Sequence, residues 1–232
     1  MSISVETHRI ALDPAVVGDA TPDVGALWCR PADAVAAYVF AHGAGAGMEH
    51  AFMARVATEL ADRGVATLRY QFPYLEAGKR RPDPPKRLAH TVRRAVARAA
   101  ELAPDLPLFA GGKSMGGRMT STAASEEALP GVRGLVFLGF PLHPPKKPGT
   151  LRAVHLSDVT VPMLFLSGTR DDLADLELLR PTLAPLELAE LHVVEGGDHS
   201  LQVLKRSGRT NDEAMAEVCD TAVRWMNARS NA

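Results

Sequence analysis

The chain is short of cysteine, of net charge and of long apolar runs, and each shortage excludes a class of protein. Two cysteines, Cys29 and Cys219, are too few for a disulfide framework or a zinc site, and we expect both to be small core residues. A net charge of −1 gives no overall argument for binding nucleic acid. Hydrophobic residues make up 46% of the chain and charged residues 23%, as in an ordinary globular protein.

Apolar runs are too short to cross a membrane, and the longest useful one covers residues 34–41. Residues 1–10 alternate polar and apolar side chains and lack the apolar block of a signal peptide. The 232 residues contain no repeat and no low-complexity linker, and their number suits one domain with a sizeable core. We therefore expect a single domain, residues 1–232, in a soluble cytoplasmic protein with no nucleic-acid or membrane partner.

Strand and helix patterns alternate along most of the chain, which predicts an α/β fold with a doubly wound, mostly parallel sheet and helices on both faces. The predicted strands are residues 3–10, 25–30, 34–41, 65–70, 106–111, 131–140, 163–167 and 188–195. The predicted helices are residues 49–63, 88–102, 115–127 and 172–180, followed by a last helix capped by Thr210 and Glu213. Only the loops 71–85 and 141–158 are long enough to cover a site, so the lid is expected to be minimal or absent.

Glycine-rich or polar stretches follow the carboxyl ends of several predicted strands, where ligands bind in sheets of this kind. They are residues 42–47, 112–116, 168–171 and 196–199. The second of them, Gly112-Lys113-Ser114-Met115-Gly116, fits the G-x-S-x-G pattern of a nucleophile elbow. In an elbow the serine lies on a strained turn between strand and helix, and nearly side-chain-free neighbours let the two elements approach closely. Ser114 is therefore the candidate nucleophile.

A serine hydroxyl needs a base to take its proton, and that base is normally a histidine oriented by a carboxylate. On this kind of fold the order along the chain is serine, then acid, then histidine. His199 is the candidate base, because it follows a predicted strand between glycines and a serine. Asp171 is the favoured acid, with its neighbour Asp172 and the histidine's neighbour Asp198 as alternatives.

The same loops predict where a substrate binds. The backbone N–H groups of Met115 and of Ala44, with Gly43 as an alternative to Ala44, are expected to form an oxyanion hole. His42, Gly43, Lys113 and Arg118 are candidate substrate-binding residues. The loops near the site also carry basic residues, which predicts either an anionic small-molecule acyl substrate or merely a solvated basic surface. The basic residues are Lys79, Arg80, Arg81, Lys113, Arg118, Lys146, Lys147 and Arg170.

These stretches, together with Gly139-Phe140-Pro141-Leu142-His143-Pro144-Pro145, resemble the α/β-hydrolase superfamily over nearly the whole chain. Within the superfamily the sequence looks closest to the branch of the Tex30 and KANSL3 hydrolase-like proteins. The resemblance implies a Ser-His-Asp hydrolase carried by Ser114, His199 and Asp171, with no metal and no organic cofactor. The resemblance does not identify a substrate, since some members of this branch are interaction modules.

The expected function is a serine hydrolase that cleaves a small acyl ester or thioester through an acyl-enzyme intermediate. A non-catalytic binding module, a dienelactone-hydrolase-like enzyme and a peptidase are the alternatives. Dienelactone hydrolases often use cysteine as the nucleophile, whereas position 114 is serine. The fold alone does not choose among acyl substrates.

Overall fold

One sheet organises the part of the chain that the computed structural model describes, residues 4–18 and 21–230. Its strands are β1 (Val5–Ala11), β2 (Asp23–Cys29), β3 (Ala36–Ala41), β4 (Val65–Tyr70), β5 (Leu108–Lys113), β6 (Val132–Leu138), β7 (Met163–Arg170) and β8 (Ala189–Asp198). They lie in the order β1-β2-β4-β3-β5-β6-β7-β8. The β1–β2 and β2–β4 pairs are antiparallel, and all the other pairs are parallel. The predicted mostly parallel sheet is confirmed.

Helices cover both faces of this sheet. They are α1 (Pro14–Val17), α2 (Ala51–Ala61), α3 (Pro73–Glu76), α4 (Pro85–Leu102), α5 (Met115–Glu126), α6 (Leu176–Leu183) and α7 (Asn211–Asn227). On β3, Ala37 and Val39 belong to a core cluster that includes apolar residues of α4 and α5. Tyr38 and Phe40, which alternate with them, belong to a second cluster that includes residues of α2 and α7. The expected doubly wound arrangement, with helices on both faces, is thus present.

Two predictions of local structure were wrong. The helix expected over residues 172–180 is α6, which begins only at Leu176 because the Asp175 side chain caps it by accepting from Glu177 N. It also runs past Pro181, which was expected to stop it. Burial of Leu179 and Leu183 in the core compensates for the hydrogen bond that proline cannot donate.

The two long loops are also more ordered than the sequence predicts. Residues 71–85 include α3, which starts with a proline at its first position. Residues 141–158 end in a 3₁₀ helix, Leu151–Asp158, which buries Ala153 and Leu156. The strand predicted over residues 3–10 is β1, and residue 3 lies outside the described residues. The capping box of Thr210 and Glu213 at the start of α7 is confirmed.

Other expectations concern burial. Cys29 and Cys219 are both buried and free, as expected of small core residues. Burial raises the pKa of the Cys219 thiol to about 12.

Among the helices in residues 4–18 and 21–230, none is long and apolar enough to cross a membrane.

Candidate active site

Ser114 stands between the last residue of β5 and the first residue of α5, in a backbone conformation that serine rarely adopts. Its φ is 51° and its ψ is −116°. Such a conformation costs about 1–3 kcal/mol and persists only where the surroundings impose it. Here Ser114 N donates to Leu138 O of β6 at 3.1 Å, and Arg118 N donates to Ser114 O at 3.1 Å. Strand and helix together therefore hold the serine on a strained turn.

The two glycines of the pattern are required by close packing around that turn. A Cβ at Gly112 or at Gly116 would collide with Ala41 O at the end of β3. A Cβ at Gly112 would also lie 2.9 Å from the backbone carbon of Gly116. The absence of side chains at both positions thus lets β3, β5 and α5 meet at the serine.

Three side chains form a chain of hydrogen bonds beginning at this serine. His199 follows the last residue of β8, and its Nε2 lies 2.8 Å from Ser114 Oγ. Its Nδ1 lies 2.9 Å from each carboxylate oxygen of Asp171. Because a carboxylate only accepts, Nδ1 carries the proton, which leaves Nε2 free to accept from the serine hydroxyl. This arrangement can remove a proton from Ser114.

Of the three aspartates considered as the acid, the structure brings Asp171 to the histidine. The Asp171 side chain is 0% exposed, and its Oδ1 also accepts from Leu173 N at 2.9 Å. Asp172 is exposed to solvent. Asp198 Oδ1 instead accepts from Ser200 N and Gln202 N, which shapes the turn that carries His199.

His42 was expected to contact substrate, and this prediction is corrected, since the residue is 0% exposed. Its Nδ1 lies 2.8 Å from Gly43 O, and Phe72 N donates to its Nε2 at 3.1 Å. A carbonyl at Nδ1 and an N–H at Nε2 together require the proton to be on Nδ1. His42 therefore lies beneath the loop of residues 42–47 and fixes the direction of the Gly43 carbonyl.

Burial of His42 predicts a specific pH dependence of stability. Burial lowers its pKa to about 4, from 6.5. The unfolded chain then binds more protons between these values, so the stability due to His42 is complete above pH 6.5 and is lost as the pH falls towards 4. Relative to His42→Gln, the wild-type free energy of unfolding should fall by about 3 kcal/mol between pH 7 and pH 4. Urea unfolding of both proteins measures this, and a difference that does not change with pH would contradict it.

The loop of residues 42–47 lies directly against the serine. A Cβ on Gly43 would be 3.6 Å from Ser114 Cβ. Within one peptide unit the C=O and the N–H point in opposite directions, so the carbonyl held at His42 turns Ala44 N–H away from the histidine. Met115 N–H is the first amide of α5 and has no acceptor within the helix. Ala44, Ser114 and Met115 all line one cavity.

That cavity has a volume of about 550 Å³ and also includes His199 in its wall. Both long loops cover it, with Pro82 and Asp83 from the first and Pro141 and Pro145 from the second. Much of the remaining wall is apolar. Its apolar residues include Phe52, Met53, Leu88, Met115, Met119 and Leu173. The cavity therefore suits a small molecule with an apolar part.

The predicted basic residues divide between the cavity and the outer surface. Arg118 and Lys113 line the cavity. Lys79, Arg80 and Arg81 lie instead around a separate shallow depression, and Lys146, Lys147 and Arg170 are exposed. Sequence reasoning missed Arg152, which lines the cavity from the 3₁₀ helix, because its segment was predicted to be an irregular loop.

Lys113 was predicted to bear on substrate choice, and the structure gives its ammonium group a different partner. The residue is 9% exposed, and its Nζ donates to the backbone carbonyl of His199. Burial lowers the pKa of Lys113 to about 8, against the opposing effect of the negative charges of Asp171 and Asp198. Lys113 thus ties the loop of the histidine to the strand of the serine.

Within the described ranges, 4–18 and 21–230, no three His, Cys, Asp or Glu side chains cluster in a way that could hold a metal ion.

Comparison with known proteins agrees with this architecture. The model of a family described as an alpha/beta hydrolase domain matches residues 34–227, which is more than half of the chain. The chain belongs to the α/β-hydrolase domain family. The match contains all four loops of the site, from His42 to His199.

Solved structures of α/β-hydrolase proteins share the fold. A dienelactone hydrolase from Anabaena variabilis is similar with a TM-score of 0.76 and 21% identity, covering 99% of this chain and 100% of that one. A serine hydrolase without a lid from Xanthomonas campestris gives a TM-score of 0.70 and 18% identity, covering 95% of each chain. A cold-adapted esterase from an Arctic intertidal metagenomic library gives 0.69 and 16%, covering 97% of this chain and 94% of that one.

Proposed function

We propose that this protein is a serine hydrolase that cleaves small acyl esters or thioesters through a covalent acyl-enzyme. The observation that carries the proposal is the hydrogen-bonded chain Ser114–His199–Asp171, which opens into the cavity. Its parts lie on three separate loops at one edge of the sheet, and the serine is held in a strained conformation. Membership of the α/β-hydrolase domain family and the similarity to esterase and serine-hydrolase folds support it.

In the proposed reaction His199 Nε2 takes the proton of the Ser114 hydroxyl as Oγ attacks the acyl carbonyl carbon. Asp171 holds the ring in the required tautomer and stabilises the imidazolium that forms. The imidazolium then gives its proton to the leaving alkoxide or thiolate, and the bond to the leaving group breaks. A water molecule, deprotonated by His199, attacks the acyl-enzyme and releases the acid with Ser114 restored.

The negative charge on the tetrahedral oxygen needs donors that are in place before reaction. Met115 N–H and Ala44 N–H would supply them from the start of α5 and from the loop that His42 anchors. The dipole of α5 adds a partial positive charge at the same point.

The alternative of a non-catalytic binding module is disfavoured by the buried acid. A fully buried carboxylate and a strained serine both cost stability, and a module without turnover would need neither. The resemblance to the Tex30 and KANSL3 branch does not choose between the two functions.

A panel of short-chain p-nitrophenyl esters and acyl thioesters tests the proposal. We expect turnover of several members, with a burst of released phenolate equal to the enzyme concentration when deacylation is slow. The His199→Ala protein should retain its fold and lose turnover. Absence of turnover for every ester and thioester with a folded wild-type protein would favour the binding module.

A further inference from the structure

Two arginines in the wall of the cavity have no acidic partner within the described residues. Arg118 lies on α5 and Arg152 on the 3₁₀ helix of the second covering loop. In the part of the chain that the structure describes, Arg118 Nε is buried without a hydrogen-bond partner. Arg152 Nη1 donates to the backbone carbonyl of His143 at 2.9 Å. Both guanidinium groups thus keep donors unused.

Other arginines of this chain do have acidic partners. Several form ion pairs with aspartate or glutamate, including Arg9, Arg30, Arg55, Arg63, Arg93 and Arg229. Asp83, an acidic residue in the wall of the cavity, accepts from Arg87 Nη1 at Oδ1, 3.4 Å away, and within the described residues its Oδ2 is buried without a hydrogen-bond partner. Among residues 4–18 and 21–230, no aspartate or glutamate forms an ion pair with Arg118 or Arg152.

The electrostatics of the pair favours an external anion. Burial lowers the pKa of Arg118, and the positive charge of Arg152 lowers it further. Burial also lowers the pKa of Arg152. His155, whose Nε2 lies 2.7 Å from Ser121 Oγ, has its pKa lowered by burial and by the charge of Arg118, against the opposing effect of Asp158. Arginine stays protonated in proteins, so two neighbouring cations in a part-buried wall lower the stability of the folded protein. An anion bound between them would offset this cost.

Arg118 and Arg152 line the same cavity as Ser114, so all three can contact one small bound molecule. Arg118 lies in the first turn of α5, four residues after Ser114, and its N–H donates to Ser114 O at 3.1 Å. The planar guanidinium group binds a carboxylate through two parallel hydrogen bonds. The apolar wall between the covering loops leaves room for a short carbon chain.

We propose that Arg118 and Arg152 bind a carboxylate of the substrate, so that the preferred substrate is a small ester or thioester carrying a free carboxylate group. This inference rests on the proposed hydrolase function and adds the chemical class of its substrate. It narrows the predicted basic residues near the site to two side chains, Arg118 and Arg152.

Monomethyl glutarate and its neutral counterpart of the same size, methyl glutaramate, test the inference by their kcat/KM values. At low salt the wild-type protein should prefer the carboxylate ester by about 10- to 100-fold, as expected for hydrogen bonds to a charged group. The Arg118→Gln and Arg152→Gln proteins should each lose most of this preference, chiefly through KM. Lys147→Gln removes the same charge from the same covering loop outside the cavity, and should keep the preference.

Binding can be measured without turnover, which separates the two proposals. In the Ser114→Ala protein, calorimetry should detect monomethyl glutarate, and the added Arg118→Gln substitution should weaken its Kd at least about tenfold. Equal kcat/KM for the two esters, or no carboxylate binding, would overturn the inference while esterase activity remained. Binding of inorganic phosphate with no carboxylate binding would overturn the choice of carboxylate. Carboxylate binding without hydrolysis of any ester would contradict the hydrolase function alone.

Discussion

Replacing Ser114 with alanine is expected to lower kcat/KM for a neutral aryl ester by about 10⁴- to 10⁶-fold, because no other group would form the covalent intermediate. The fold should survive, since Ser114 Oγ bonds His199 rather than the core. Steady-state kinetics together with urea unfolding measures both quantities on one preparation.

Ser125, on the helix α5 that follows Ser114, provides the matched control. Its hydroxyl donates to Thr122 O at 2.9 Å, and it is not among the residues lining the cavity. Ser125→Ala should therefore retain wild-type kcat/KM within about twofold, in line with the small effects of substitutions far from a site. Comparable losses in both variants would mean that the loss in Ser114→Ala comes from damage to α5 and not from a missing nucleophile.

Replacing Asp171 with asparagine is expected to lower kcat by about 10⁴-fold. An amide N–H in place of a carboxylate oxygen at His199 Nδ1 favours the proton on Nε2, which can then no longer accept from Ser114. The measurement is the pre-steady-state rate of acylation with an activated ester, which reports this step before product release.

The neighbouring residue makes the test of Asp171 specific. Asp172 is exposed and directly follows Asp171 in the chain. Asp172→Asn removes the same charge, and its acylation rate should stay within about twofold of wild type. A large loss in Asp172→Asn with little effect of Asp171→Asn would reverse the assignment of the acid. Equal and small effects of both would mean that neither Asp171 nor Asp172 orients His199.

Much of the fold was predictable because its determinants are local. The continuous apolar run of β3 and the period of α2 identify a buried parallel strand and its covering helix without any tertiary information. The start of α6 was missed because apolar spacing does not show two side-chain hydrogen bonds, from Leu173 N to Asp171 Oδ1 and from Glu177 N to Asp175 Oδ1. Pro181 was misjudged because tertiary burial outweighed a local rule.

At the site, sequence reasoning located the loops better than the directions of their side chains. The order of Ser114, Asp171 and His199 along the chain, each after a strand, was enough to place them at one edge of the sheet. Whether His42 and Lys113 face substrate or protein depends on partners far away in sequence, Phe72 and the His199 carbonyl. The position of Arg152 in the cavity wall depends on the path of the loop 141–158, and that sequence shows no helix or strand periodicity.

A fluorophosphonate probe tests the central claim most directly, because it reacts covalently with serine nucleophiles that have an activating base. Mass spectrometry of the wild-type protein should find one adduct per chain, on the peptide containing Ser114. Ser114→Ala and His199→Ala should give no adduct, and Ser125→Ala should be labelled as wild type. An adduct on another residue, or none on the folded wild-type protein, would contradict the account of Ser114 as an activated nucleophile.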